Sequence, residues 1–493
     1  MSADWGAKMK KLVVAILIST LAPSPWATTY YLATAAGGGS DSNKGTSAGA
    51  PWLTPNHSVN CGDVIIAAAS SAYVATNFQW TKWGTVMCPA GNNVAWLKCV
   101  TFDACKINDT SGMVVDKSYW GIQGWEVTDI TDSGRGNGCF TAAPYYAAPV
   151  QVHHIIFANN VVNICSGGGG ILIGNGGSST VGADYIAIIG NIVYNGANGR
   201  YGGGCYSGID FYAPRQSDSL PGTHDYASGN FSWGNVDANP CDGGLPSDGE
   251  GLLIDTPNGS VGRVAPYTAQ IVIDNNMFIA NGGRGLQVYQ NNASPMNALI
   301  YFRHNTIWGN DLDVHSNQGG IDCSELLIQK SSTTQAFFNI AATSAATGCA
   351  GSVPIYAFSV DTGGPTNQVY SNVGWSAGGY HVGSAKSAGF SYGPNNLFGT
   401  NPSFANAVAP GAPSCGSATS VPDCMATVIA NFTPTNASAV AYGYQKPSTT
   451  QTYDTLFPQW LCNVNLPADL VTMGCVAQSS RPMPPTMPNV TVQ

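Results

Sequence analysis

Charge is what this sequence has least of. Asp, Glu, Lys and Arg make up 9% of the 493 residues, against about a quarter in an average soluble protein. Glutamate occurs three times, at Glu126, Glu250 and Glu325, and no lysine falls between Lys117 and Lys330. Exposed helix faces are normally written with Glu, Lys and Arg, so this scarcity argues against a helical bundle or a doubly wound α/β fold. No apolar run reaches the roughly eighteen residues of a spanning helix, which argues against a membrane protein. The absence of any C-x-x-C pair removes the usual zinc signature, and the absence of G-x-S-x-G and H-E-x-x-H removes serine-esterase and zincin signatures. What fills the chain instead is glycine (60 residues) and apolar side chains (44%). That is too apolar for disorder. An extended all-β protein is expected.

The first 27 residues read as an export signal. Lys8, Lys10 and Lys11 precede an apolar run from Leu12 to Leu21, and small residues follow up to Ala27. A secreted or periplasmic protein is expected, with residues 28–445 as the main domain and 446–493 as a disulfide-containing extension ending in a Pro-rich tail. Removing the signal moves the net charge from −9 to −11. Such a field does not favour nucleic acid or anionic membranes. A monomer is expected. Fourteen cysteines in an exported chain imply disulfides. Sequential pairing gives Cys61–Cys88, Cys99–Cys105, Cys139–Cys165, Cys205–Cys241, Cys323–Cys349, Cys415–Cys424 and Cys462–Cys475.

Self-similarity sets the architecture. A motif opening on Asn recurs at Asn160-Val-Val, Asn191-Ile-Val-Tyr, Asn230-Phe-Ser-Trp, Asn276-Met-Phe-Ile, Asn305-Thr-Ile-Trp and Asn372-Val-Gly-Trp. A second β-prone run follows most of these, beginning at Gly170, Gly208, Gly251, Gly285 and Asp311. Stacked coils of a parallel β-solenoid explain the pattern, with equivalent residues roughly 4.8 Å apart and the Asn side chains bonding along the stack. An antiparallel sandwich with Asn-Gly hairpins does not account for two strands in fixed order per repeat.

The opening Tyr30-Tyr-Leu, Gly39-Ser-Asp-Ser-Asn43, Gly45-Thr, Pro51-Trp and Gly62-Asp-Val-Ile resembles the start of secreted right-handed parallel β-helix proteins of the pectate-lyase-like superfamily. Asn401-Pro-Ser-Phe404 and the stretch from Phe432 to Gly443 are similar to that group's closing segments. The resemblance spans about residues 30 to 445. It implies a single-stranded right-handed parallel β-helix with long loops framing a groove. It leaves lyase, hydrolase, epimerase and binding functions open.

Strand alternation sorts the side chains of the second runs. Ile171, Ile209, Leu252, Leu286 and Leu312 point inward, as do Ile173, Phe211, Ile254, Val288 and Val314. One outward column reads Leu172, Asp210, Leu253, Gln287, Asp313. A second reads Gly174, Tyr212, Asp255, Tyr289, His315, and a third holds Ser207, Glu250 and Arg284. Scarce chemical groups thus gather on one face, which marks a site. Loops leaving the strands add Arg215, Asp218, His224, Asp225, Arg263 and Tyr267, and Tyr212, Arg215, His224, Gln287 and Asp313 are expected to bind substrate. The polymer suited to such a cleft is a polysaccharide.

Three functions compete. A polysaccharide lyase removes the C5 proton of a uronate. The resemblance implies calcium held by clustered aspartates, and Asp242, Asp248 and Asp255 with Glu250 look like such a cluster. Some of these lyases use a lysine base, which this face lacks by sequence; Arg284, Tyr289, Tyr212 or His315 would have to serve, and Glu250 can instead pair with Arg284. A glycoside hydrolase would use Asp210 and Asp255, whose Cα atoms lie roughly 8 Å apart from coil spacing and strand rise. A glycan-binding β-helix or adhesin needs no catalytic group.

Overall fold

The computed structural model describes residues 27–88, 93–109, 111–129, 137–197 (except 167, 176 and 179), 206–236, 248–257, 267–290, 298–312, 323–348 (except 332), 353–361, 366–384, 390–445 and 454–466 (except 465). The expected signal segment, the Pro-rich tail and the half-cystines Cys205, Cys241, Cys349 and Cys475 lie outside these residues.

The chain is an all-β parallel β-helix. Three long parallel sheets of 11, 11 and 9 strands run along the helix axis. Each coil visits the first sheet, the second and then the third, as in Ala183–Ile189, Ile192–Tyr194 and Ile209–Tyr212. The sequence motif captured the second and third strands and missed the first, whose segments carry no repeated marker residue. One ten-deep inward column of the first sheet reads Ile65, Leu97, Ile122, Phe157, Ile188, Ala227, Ile273, Phe302, Ala336, Val369. All ten side chains are fully buried, so sizes alternate without fixed identity and only apolar character repeats.

The turn from first to second sheet is built by an asparagine ladder. Asn160, Asn191, Asn230, Asn276, Asn305, Asn339, Asn372 and Asn396 stack, each Oδ1 after the first accepting from the backbone N–H and the Nδ2 of the Asn one coil earlier, and Asn160 Oδ1 accepting from Trp125 N–H. Each turn places a left-handed residue just before the ladder Asn. Gly190 and Gly229 supply this conformation freely, whereas His304 and Phe338 adopt it at φ 52° and 57°. A second ladder runs Asn235, Asn281, Asn310 and ends on the buried carboxylate of Glu325.

Four of the expected disulfides are formed: Cys61–Cys88, Cys99–Cys105, Cys139–Cys165 and Cys415–Cys424. Cys323 and Cys462 are also disulfide-bonded. No helix among the described residues is long and apolar enough to cross a membrane.

Among the described residues, C-terminal segments pack on the outer faces of the first two sheets. Phe457, Trp460, Leu461 and Val464 pack on Trp96, Ile156, Tyr185 and Tyr226 of the first sheet. Val421, Met425, Phe432 and Tyr444, around the short helices Val421–Cys424 and Ala426–Asn431, pack on Ile192, Phe231, Trp233 and Met277 of the second. Sequence reading gave little for the chain beyond residue 410, because these segments are covers whose apolar residues follow no repeat. Neither cover includes the third sheet.

Candidate active site

The third sheet carries the residues that the alternation pointed to. Its register places Leu172, Asp210, Leu253, Gln287 and Leu327 in one outward column. The next holds Tyr212, Asp255 and Tyr289. Inward positions Ile171, Ile209, Leu252 and Leu286, and Ile173, Phe211, Ile254 and Val288, are fully buried.

One coil differs from expectation. The segment at Asp311 is not a strand of this sheet; Ser324–Gln329 takes that place, with Leu326 stacked on Leu286. Leu312, expected inward, is 48% exposed. The run Asp311-Leu-Asp-Val mimics the alternation, but Leu326 and Ile328 of Ser324-Glu-Leu-Leu-Ile-Gln fill the two core positions. Asp313 and His315, together with Asp242 and Arg263, lie outside the described residues.

Asp210 and Asp255 sit on adjacent coils, two residues apart along the strand. Asp210 is buried, and each carboxyl has a buried Oδ1 with no hydrogen-bond partner. Burial pushes the Asp210 carboxyl well above its ordinary value, and the charges of Asp255, Asp248 and Glu250 push it further. Burial, with Glu250 nearby, raises Asp255 to about 7. Of two acids on one face, Asp210 is therefore strongly biased towards its protonated form, while Asp255 sits near the midpoint of its titration at neutral pH.

The third column does not face solvent. Ser207, Glu250 and Arg284 are all buried, with Ser207 Oγ donating to Glu250 Oε2 at 2.8 Å and Arg284 Nη1 donating to Oε1 at 3.1 Å. The column lies before the strands begin, where alternation no longer fixes direction. Arg284 is thereby a charge partner of Glu250 and a poor candidate base. Asp248 lies close enough to raise Asp210. Among the described residues no three His, Cys, Asp or Glu side chains converge to hold a metal ion.

Two expected binding residues are elsewhere. Arg215 is buried in the turn to the first sheet, its N–H donating to the Ala183 carbonyl and its carbonyl accepting from Gln151. His224 is on the first sheet, 1% exposed, with Nδ1 3.0 Å from Asp184 Oδ1 and Nε2 2.9 Å from the Leu220 carbonyl. A carbonyl only accepts, so Nε2 carries a proton, and Nδ1 faces a carboxylate. Burial alone would lower this imidazole, but Asp184 outweighs it and the net shift is upward. Both nitrogens are thus committed, and the ring buttresses the fold. The neighbouring Asp225, raised to about 8 by burial and by Asp184, shares the Tyr267 hydroxyl with Asp184 at 2.9 Å each. His153 and His154 belong to the same outer face, with their Nδ1 atoms 2.9 Å apart.

One residue was missed. Lys330 follows Gln329 at the end of the third-sheet strand, and its Nζ lies 5.0 Å from the Tyr289 ring centroid. The misassigned coil at Asp311 hid it. Placing Ser324–Gln329 by its alternation would have brought a lysine beside Tyr289. Gln287 Nε2 donates to Gln329 Oε1 at 3.0 Å, and Gln329 Nε2 to Asp361 Oδ2 at 3.2 Å, which continues the polar face for two further coils.

No protein-family model and no curated protein sequence matches the chain. Solved structures similar to it include the pectate lyase Pel9A, at 16% identity over 78% of this chain and 84% of that one with a TM-score of 0.41. A rhamnogalacturonan lyase is similar at 14% identity over 77% and 91% with a TM-score of 0.37. The GH136 lacto-N-biosidase from Eubacterium ramulus is similar at 12% identity over 70% and 56% with a TM-score of 0.33. These are likenesses of overall form; the parallel β-helix is read from this chain's own strand registers.

Proposed function

We propose that this protein is an exported carbohydrate-active enzyme that hydrolyses glycosidic bonds of an extended polysaccharide, with Asp210 as general acid and Asp255 as general base. The observation that carries the reading is the pair itself. Two carboxyls on adjacent coils share one outer face, each with an unbonded buried oxygen, and both are raised above their ordinary value, Asp255 to about 7. Asp210 gives its proton to the glycosidic oxygen as the bond to the anomeric carbon breaks. Asp255 takes a proton from the water that attacks that carbon from the opposite side. A Cα separation of roughly 8 Å suits an inverting arrangement, whose carboxyls stand about 6.5–9.5 Å apart.

A second reading, β-elimination on a uronate, is favoured by Lys330 above Tyr289. Lys330 would face the sugar carboxylate while Tyr289 takes the C5 proton, the C4–O bond breaks and the leaving oxygen is protonated by Asp210. Calcium belongs to this reading, with Asp248 and Asp242 as its expected ligands. Asp242 lies outside the described residues, and no step is routed through a cation.

A polysaccharide panel scored for both new reducing ends and unsaturated product separates the two. Hydrolysis gives reducing ends with no unsaturated product, and either Asp210→Asn or Asp255→Asn lowers turnover by roughly 10²–10⁴. Activity surviving in both variants sinks the carboxylate assignment. Unsaturated product abolished by Lys330→Ala moves the assignment to the lyase.

A further inference from the structure

We propose that Trp80, Tyr145 and Tyr146 form a second, non-catalytic platform on which the same extended glycan chain stacks. The proposal shares with the preceding reading the premise that the third sheet binds a glycan, but not the roles of Asp210 and Asp255.

The three rings touch one another without closing into a sandwich. Trp80 lies 5.8 Å from Tyr145 and 6.3 Å from Tyr146, and the two tyrosines are 4.9 Å apart at 65°. Tyr146 is 66% exposed, the highest value for any Phe, Trp or Tyr among the described residues. An exposed aromatic cluster is costly to leave in water and marks a contact surface.

Its position says what it contacts. The column of Asp255 and Tyr212 continues toward the N-terminal end through Gly174, Ala143 and Asp116, as the registers and the bonds Gly174 N–H to Ala142 and Ala143 N–H to Val115 show. Asp116 Oδ2 accepts from the Thr81 N–H at 3.0 Å, which seats Trp80 beside that end. Tyr145 follows Ala143 by two residues. The platform therefore flanks the same row, with Tyr145 three coils or roughly 14 Å from Asp255 and Trp80 beyond the coil of Asp116, which is the fourth. Between them the floor is small: a side chain built at Gly174 would meet nothing within 4 Å. A row with aromatic rings at one end and two acids at the other fits a linear sugar polymer, whose apolar ring faces stack on aromatics while its hydroxyls remain in water. A compact ligand would need no second platform.

The test uses the full chain carrying Asp210→Asn, so that binding is read without turnover, and gel retardation by polygalacturonate, alginate and a mixed-linkage β-glucan. Adding Trp80→Ala and Tyr146→Ala is expected to weaken retardation by the bound polymer at least tenfold, whereas Tyr146→Phe keeps it. In the chain with Asp210 intact, the same platform changes should raise KM on long polymer and leave short oligomers unaffected, since these do not reach from the acids to the platform. Should the double variant fold poorly, Tyr146→Ala alone, at an exposed site, carries the measurement. Equal retardation of platform variants and parent overturns the platform alone. A parent that binds none of the polymers overturns both the platform and the glycan reading beneath it.

Discussion

Replacing Asp255 by Asn should do two opposite things, and the pH dependence of the second is diagnostic. The carboxyl is raised from an ordinary 3.8 to about 7, first by burial and then by Glu250. Below pH 3.8 the folded and unfolded chains both hold this proton, so the site contributes no pH dependence. Between 3.8 and about 7 the folded chain keeps a proton that the unfolded chain has released. Unfolding then releases protons, and stability falls as pH rises through that window. A displacement of about three units amounts to at most about 4 kcal/mol by pH 8. Asn cannot ionise, so the variant escapes the loss. Asp255→Asn should match the parent near pH 4, apart from a constant offset, and gain on the order of 2–4 kcal/mol at pH 8 while losing turnover. The assay is the midpoint of denaturant unfolding at several pH values, compared as differences because a long disulfide-bonded solenoid need not unfold in two states. A stability difference that does not change between pH 4 and 8 would refute the raised carboxyl, and with it the acid–base roles.

Two structural predictions accompany this. Asn276 is fully buried, and its side chain accepts from Asn230 N and Nδ2 and donates to the Ala227 carbonyl and Asn305 Oδ1, all within 2.9–3.1 Å. Asn276→Ala removes these four hydrogen bonds at about 1 kcal/mol each, so a loss of about 4 kcal/mol is expected in unfolding experiments; a loss below about 1 kcal/mol would contradict the ladder's role. Trp460, 5% exposed, donates Nε1 to the His224 carbonyl and meets the His154 ring edge-on. Trp460→Ala should release the 454–464 cover, read as faster proteolytic nicking there with the β-helix core intact; unchanged nicking would mean the cover is held otherwise.

The local rules were legible in the sequence. Asn recurs because each turn between the first two sheets strands backbone groups that a stacked amide satisfies, and at Gly190 and Gly229 glycine supplies the left-handed residue before it. That repetition identified the solenoid, and alternation placed Asp210, Tyr212, Asp255, Gln287 and Tyr289 on one outer face. Alternation is a statement about strands, and it failed where strands end. Glu250 and Arg284 lie two residues before their strands and turned inward to pair. Leu312 belongs to a run with the right pattern and the wrong place, which concealed Lys330. His224 looked like a loop residue because the first sheet carries no marker, and its two committed nitrogens are visible only in three dimensions. Composition and period fixed the coil. The covering of the first two sheets was decided by the packing of residues 456–464 and 415–444 against them, contacts between segments remote in the chain that no local pattern encodes.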